Sequence, residues 1–463
     1  MNDRDDRDDL EPRGQPSQRG HASQGGHRDH RGVAAPAGGL RLVGGSGRGR
    51  AGSLLRRAPA APADSAEPAA GGSRTALEAL PLPIPLQIGP PDAGRRRRLE
   101  QVLREIEEAG PAAVARRWAP RLTTYEALMR WSWALRYRSV RDMRKLAELA
   151  AALAAGLSAE RYGVARVHDL RCFALLELAN ALRAGQNPAD GRRAFDEALQ
   201  HFAAGSHSPL LAARLAAIEG HLLAHQRSFA GAWAAFDSAA DAYRRQGLPH
   251  QVGSVLINKG LYASYLNRPR EATELLREAA TLVDPEADPA LSWVVRHNLS
   301  HALVLSGRYR EARQVVWRTE SLYDRHRGLH GQRTLRWLQA RIHAGLHEDG
   351  PAIAAFDDAR QAMLASGEPY SAACITLELC GSLSRAGGGG AGGHQRARAL
   401  AEGAADLLLG QEVSRGIAVA MLLLKTSLRF GVESEELSYD RLAAFVAAAE
   451  HDPAITLDDF VQR

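Results

Sequence analysis

Large rings are scarce in this 463-residue chain: aromatics make up 6% of it, against 45% apolar residues in all. A core cannot be built on rings at that density. Alanine and leucine must supply it, which suits closely packed helices of high intrinsic propensity. Cysteine is rarer still. Cys172, Cys374 and Cys380 are odd in number and irregular in spacing, which excludes a disulfide framework and a zinc pattern. Buried thiols in a reducing compartment are expected. No stretch has the unbroken apolar length of a membrane span. The opening MNDRDDRDD is charged where a secretory signal is apolar. A cytoplasmic location is therefore expected. The net charge of +6 is modest for the length and does not by itself mark a nucleic-acid binder. Phosphate-cradling and nucleophile motifs are missing too: the glycine run Gly387–Gly393 lacks the Lys-Ser/Thr of a P-loop, and no nucleophile elbow stands out. The expectation is a chain that is not an enzyme and carries no cofactor.

Residues 1–92 are poor in large apolar side chains and rich in Gly, Pro, Ala, Ser, Arg and Asp. Such a segment cannot bury enough surface to offset its ordering entropy, so a disordered tail is expected. Arg48 and Arg50 in GGSGRGR are read as part of a solvated chain, and the proline-rich Leu80–Pro91 as a stiff, extended linker. Helical spacing starts near Ala93, where Arg95–Arg98 runs into Leu99, Val102, Leu103 and Ile106. Gly110-Pro111 breaks that helix. Thr124 is the expected N-cap of a helix over Tyr125–Arg136, and Ser139 that of Val140–Ala155, which ends at Gly156. Residues 93–158 are thus expected to cap a repeat array over 159–463, with closing helices at Gly416–Phe430 and Leu437–Glu450 and an end to regular structure at Asp452-Pro453.

The array announces itself in the stretch Trp293–Arg325: a helix, a tight turn at Ser306-Gly307-Arg308, and a second helix. Its small residues recur one period away in both directions. Gly220, Gly260, Ser300 and Ala340 are forty residues apart, as are Ala232, Ala272, Ala312 and Ala352. Phe236, Leu276, Val316 and Phe356 form a third row, and Ala239, Ala279, Thr319 and Ala359 a fourth. Four rows in phase are the mark of stacked helix pairs. Gly220 and Ala232 are expected to face each other across the turn, with the larger third row filling the groove against the next pair. A bulky side chain at Ala272 or Ala312 is then expected to cost about 1–3 kcal/mol by overpacking. Ala179, Gly191, Phe195 and Ala198 give an earlier unit one residue out of phase, and Cys380 continues the first row.

These rows resemble the tetratricopeptide repeat family. Ser300, Gly307, Tyr309, Ala312, Val316 and Thr319 stand at its motif positions in one unit, and Gly220, Phe229, Ala232, Phe236 and Ala239 in another. The period departs from the family's usual length of about 34 residues. The surplus falls near Gln246–His250, Asp284–Pro289, His326–Gly331 and Ser366–Pro369, as longer turns between units or an extra turn of helix. The forty-residue register is also similar to the arrays of bacterial multi-helix regulators. The resemblance implies an all-α, right-handed solenoid that binds a protein or peptide in its concave face.

Transferred by alignment, the groove-lining positions of the family fall on Asn180, His221, His225, Asn258, Leu261, Tyr265, His297, Asn298, His301, Trp337 and Arg341. Asn258 and Asn298 are equivalent on neighbouring helices, where amides can bond an extended peptide backbone as donor and acceptor. The plainer alternative is that they bond the neighbouring helices themselves. His297 and His301 are four apart and share a helix face, as a metal pair would. Neither a third ligand nor the glutamate of a zinc-protease motif accompanies them, so no metal is expected. A protein-binding scaffold in regulation or complex assembly is the expected function. The alternative is a nucleic-acid-associated regulator that uses the basic N-terminal region, with steeply salt-dependent binding.

Overall fold

The computed structural model describes residues 93–185, 187–325, 329–386, 391–430, 438–451 and 455–456. The tail expected over 1–92 lies outside the described residues, as do Gly387–Gly390 and Asp452-Pro453. Among the described residues there are nineteen helices and no strand. The first five are α1 (Ala93–Ala109), α2 (Pro111–Arg117), α3 (Leu122–Leu135), α4 (Val140–Ala155) and the short α5 (Ala159–Tyr162). Seven pairs follow: α6 (Val164–Ala184) with α7 (Pro188–Ala204), α8 (Pro209–His225) with α9 (Phe229–Arg245), α10 (Pro249–Tyr265) with α11 (Pro269–Leu282), and α12 (Pro289–Leu305) with α13 (Tyr309–Arg325). The remaining three are α14 (Leu329–Gly345) with α15 (Asp349–Ala365), α16 (Pro369–Ala386) with α17 (Ala391–Leu409), and α18 (Arg415–Phe430) with α19 (Tyr439–His451). Each helix packs on its partner, and neighbouring pairs pack on one another, which makes the described chain an all-α solenoid.

Local chemistry sets the cadence. From α8 to α16 a helix begins every twenty residues, at 209, 229, 249, 269, 289, 309, 329, 349 and 369. Proline opens α8, α10, α11, α12 and α16, where its missing N–H is no loss and its fixed φ suits the first turn. Most of these helices are 17 residues long and leave three-residue turns. Within the four pairs from α8 to α15 each turn places one residue in the left-handed region: Arg227, Asn267, Gly307 and His347, with φ of 61°, 55°, 71° and 59°. The next residue then donates its N–H back over the turn, as in Ser228 to Leu223 and Arg308 to Leu303 at 2.9 and 2.8 Å. These bonds satisfy helix-end carbonyls that would otherwise have none.

The long period therefore resides in long helices rather than in long loops. Val283–Asp288 is the exception. There α11 stops early, Asp284 Oδ1 accepts from the N–H groups of Glu286 and Ala287, and Asp288 caps α12 by accepting from Leu291 N–H at 3.0 Å. The one-residue phase slip upstream has its cause in Gly205–Ser208, a turn of four residues between α7 and α8. Buried Asp169 of α6 holds it, accepting from Ser206 N–H at 3.0 Å.

All sixteen residues of the four rows are buried. The nearest neighbours of the two row glycines are the large side chains of the third row. A Cβ on Gly220 would lie 2.7 Å from the Phe236 ring, and one on Gly260 would lie 2.6 Å from Leu276 Cγ. Each glycine makes room for the large side chain of its own pair. At the ends, Ser139 caps α4 as expected, its hydroxyl accepting from Asp142 N–H. Thr124 lies inside α3, which starts at Leu122. Gly392 and Gly393, expected in a loop, belong to the first turn of α17. All three cysteines are unpaired and buried, and burial pushes the Cys172 and Cys380 thiols up to about 12.

Candidate concave binding surface

The eleven residues read as groove positions all fall on first helices of pairs: α6, α8, α10, α12 and α14. All eleven are half-buried, neither sealed in the core nor fully open to solvent. First helices are pressed between neighbours, so they bury most of their surface. α8 and α10 each bury ten residues, whereas their partners α9 and α11 bury six and four.

Two clusters organise this surface. The first is a chamber with an internal volume of about 50 Å³, lined from α3, α6, α8, α9, α10 and the start of α12. His221 and Asn258 line it; Trp133, Glu177, Arg214, Tyr243, His250, Gln251, Ser254 and Asp288 do so too and were not anticipated. Arg214 donates from Nε to Glu177 Oε1 at 2.7 Å, joining α8 to α6. Burial works against the Arg214 charge, but Glu177 outweighs it and holds the guanidinium above its ordinary range. The Trp133 ring lies 5.4 Å from this guanidinium and 4.4 Å from that of Arg136, within the range of cation–π attraction. Arg136 in turn pairs with Asp288, so the end of α3 is clasped to the start of α12 across three helix pairs. Burial, reinforced by Arg183 and Arg214, drives the His221 pKa well below the usual imidazole value, and burial lowers that of His250. Both rings are neutral at pH 7. Asn258 turns its amide back to Ser254 O of its own helix at 3.0 Å, so it does not bridge to the neighbouring helix.

The second cluster gathers three anticipated residues around one that was missed. Arg341 of α14 meets Glu378 of α16 in a two-pronged pair, Nε to Oε2 at 2.7 Å and Nη2 to Oε1 at 2.6 Å. Trp337 Nε1 donates to Glu378 Oε1 at 3.1 Å, and its ring lies 4.4 Å from the guanidinium. His301 Nε2 stands 3.1 Å from Arg341 Nη1. His297 instead stacks on Trp293 at 5.7 Å, so the two imidazoles of the HNLSH motif serve different neighbours. Among the described residues no group of three or more His, Cys, Asp or Glu side chains is placed to hold a metal. Asn180 accepts from Arg183 on its own helix, and Tyr265 packs edge-on against Tyr262. His225, Leu261 and Asn298 lie on the same first helices outside both clusters.

The missed residues left a trace in the sequence. Glu177 and Arg214 are 37 residues apart, and so are Arg341 and Glu378. An acid and an arginine at nearly one period are what neighbouring first helices bring face to face.

No family model matches the sequence, and no curated protein matches it. Among solved structures, the crystal structure of BtubC (BKLC) from P. vanneervenii is similar over 51% of this chain and 94% of its own, at 19% identity and a TM-score of 0.36. A likeness at that level carries no argument. The class rests on the molecule itself: an all-α solenoid of helix pairs with a recessed polar surface on its first helices. Among the described residues no helix is long and apolar enough to cross a membrane.

Proposed function

We propose that the chain is a non-catalytic scaffold of the tetratricopeptide type that holds a peptide or protein segment along its first helices, in regulation or complex assembly in the cytoplasm. The observation that carries this is the unbroken succession of half-buried polar and aromatic side chains on α6, α8, α10, α12 and α14. Such a surface gives an extended chain both apolar contact and hydrogen-bond partners without requiring the solenoid to open. The charges there favour a protein ligand over nucleic acid. Arg214, Arg136, Arg341 and Arg333 are matched by Glu177, Asp288, Glu378 and Glu368, so these four guanidiniums are not left to attract phosphates.

A photo-crosslinking amino acid at Leu261, on a first helix, and at Trp317, exposed on α13, tests this reading in cells that express the protein. One protein partner trapped from Leu261 but not from Trp317 is the expected result. Partners trapped only from Trp317, or a nucleic acid trapped from Leu261, would overturn it.

A further inference from the structure

The chamber beneath α3 holds more donors than the protein can satisfy. Trp133 Nε1, Gln251 Nε2 and His221 Nδ1 are all buried without a hydrogen-bond partner in the protein, and all three side chains line this one space. Gln251 is only 7% exposed. The indole and amide nitrogens can only donate, and buried donors need an acceptor oxygen. The volume of about 50 Å³ exceeds the roughly 10–15 Å³ that one water requires. It admits a group of a few heavy atoms.

Charge selects among such groups. Glu177 and Asp288 are the acids of the wall, and each already faces an arginine, Arg214 and Arg136. His221 and His250 are held neutral by burial. The wall is balanced as it stands. A carboxylate entering it would add a negative charge with no counter-ion, and an ammonium a positive one, at the large cost of desolvating an unpaired charge. A group that accepts through oxygen, donates through nitrogen and carries no charge meets both needs.

We infer that the chamber is an anchor pocket for the uncharged carboxamide head of an asparagine or glutamine side chain carried by the bound segment. This rests on the reading of the first helices as a peptide-holding surface. The carboxamide oxygen takes the hydrogens of Trp133 and Gln251, and its NH₂ group turns to the acids.

Saturation-transfer NMR on the full-length protein tests the pocket with three probes of one shape: propionamide, propionate and propylamine. Propionamide is expected to give a saturable signal, with the two charged probes weaker by about tenfold or more. Gln251→Met and Trp133→Phe each remove one donor while keeping bulk. Each is expected to weaken propionamide by about threefold to tenfold, with unchanged circular dichroism. Propionate binding as well as propionamide, no saturable probe at all, or indifference to both substitutions would overturn the assignment. Should propionamide fail while Leu261 still traps a protein partner, the peptide surface stands and the pocket falls. Should propionamide bind while Leu261 traps nothing, the pocket is not an anchor for a bound chain, and the inference falls with the reading it rests on.

Discussion

Two ion pairs tie neighbouring helix pairs together, and they differ in everything but their chemistry. On the outer side Arg277 of α11 reaches Glu311 of α13 at 2.7 Å, with both side chains more than 40% exposed. On the inner side Arg341 of α14 reaches Glu378 of α16 at 2.6 Å, with exposures of 17% and 14%. The outer pair has company in Arg244–Glu278 and Arg313–Glu348, similarly placed and similarly wet. The inner pair is two-pronged and covered by Trp337, as its counterpart Arg214–Glu177 is faced by Trp133. Outer bridges gain little, because water competes for both ends. Inner bridges are costly to break, because a lone buried charge remains. The same residue types are ornament on one face and constraint on the other.

The sharpest test removes one acid from each kind of bridge. Glu378→Ala is expected to cost about 3–5 kcal/mol by leaving Arg341 buried without a counter-ion. Glu311→Ala is expected to cost about 0–1 kcal/mol. Urea unfolding of both variants measures the contrast, and equal losses would break it.

Glycines extend the comparison at the next size of effect. Gly220→Val drives a side chain into the Phe236 ring and is expected to lose about 1–3 kcal/mol by overpacking. Gly403→Ala, in α17 with nothing within 4 Å of the added Cβ, is expected to gain about 0.5–1 kcal/mol. Thermal unfolding distinguishes the two signs.

Acid is the third probe. Burial lowers the pKa of the inner histidines His221, His225 and His250 below the ordinary 6.5. The unfolded chain therefore binds their protons first as pH falls. Their contribution is present at neutral pH and declines as pH falls below 6.5, most strongly for His221, whose pKa is lowered the most. His221→Gln is expected to flatten the fall in stability between pH 7 and pH 5, followed as midpoint denaturation against pH. An unchanged slope would show that the ring is not the sensor.

Much of this was legible in the sequence, and the illegible part has physical causes. The four rows revealed the packing between helices because packing tolerates few residue types at each place: all sixteen positions are buried. Pro209, Pro249, Pro289 and Pro369 carry the same register at the helix starts. The left-handed turn residues hid better, since Arg227, Asn267, Gly307 and His347 share a conformation and no chemistry. The groove positions came from helix geometry alone, which places a side chain on a face but does not choose its partner. Hence Arg341 was expected and Glu378 was not, and Asn258 turned out to bond its own helix. Trp133 lay beyond any repeat-based search, because it reaches the chamber from α3, ahead of the pairs.

The clasp between Arg136 and Asp288 joins residues 152 apart, whereas the solenoid is otherwise built mainly from helices adjacent in sequence. Closing so long a loop loses chain entropy that only finished neighbours can offset. Loop closure therefore predicts an order of assembly in which pairs stack first and the clasp shuts on a completed scaffold. Arg136→Ala is then expected to leave the refolding rate unchanged and to hasten unfolding, both read by stopped-flow fluorescence. In time as in space, that single contact would act as a fastener, last to engage and first to let go.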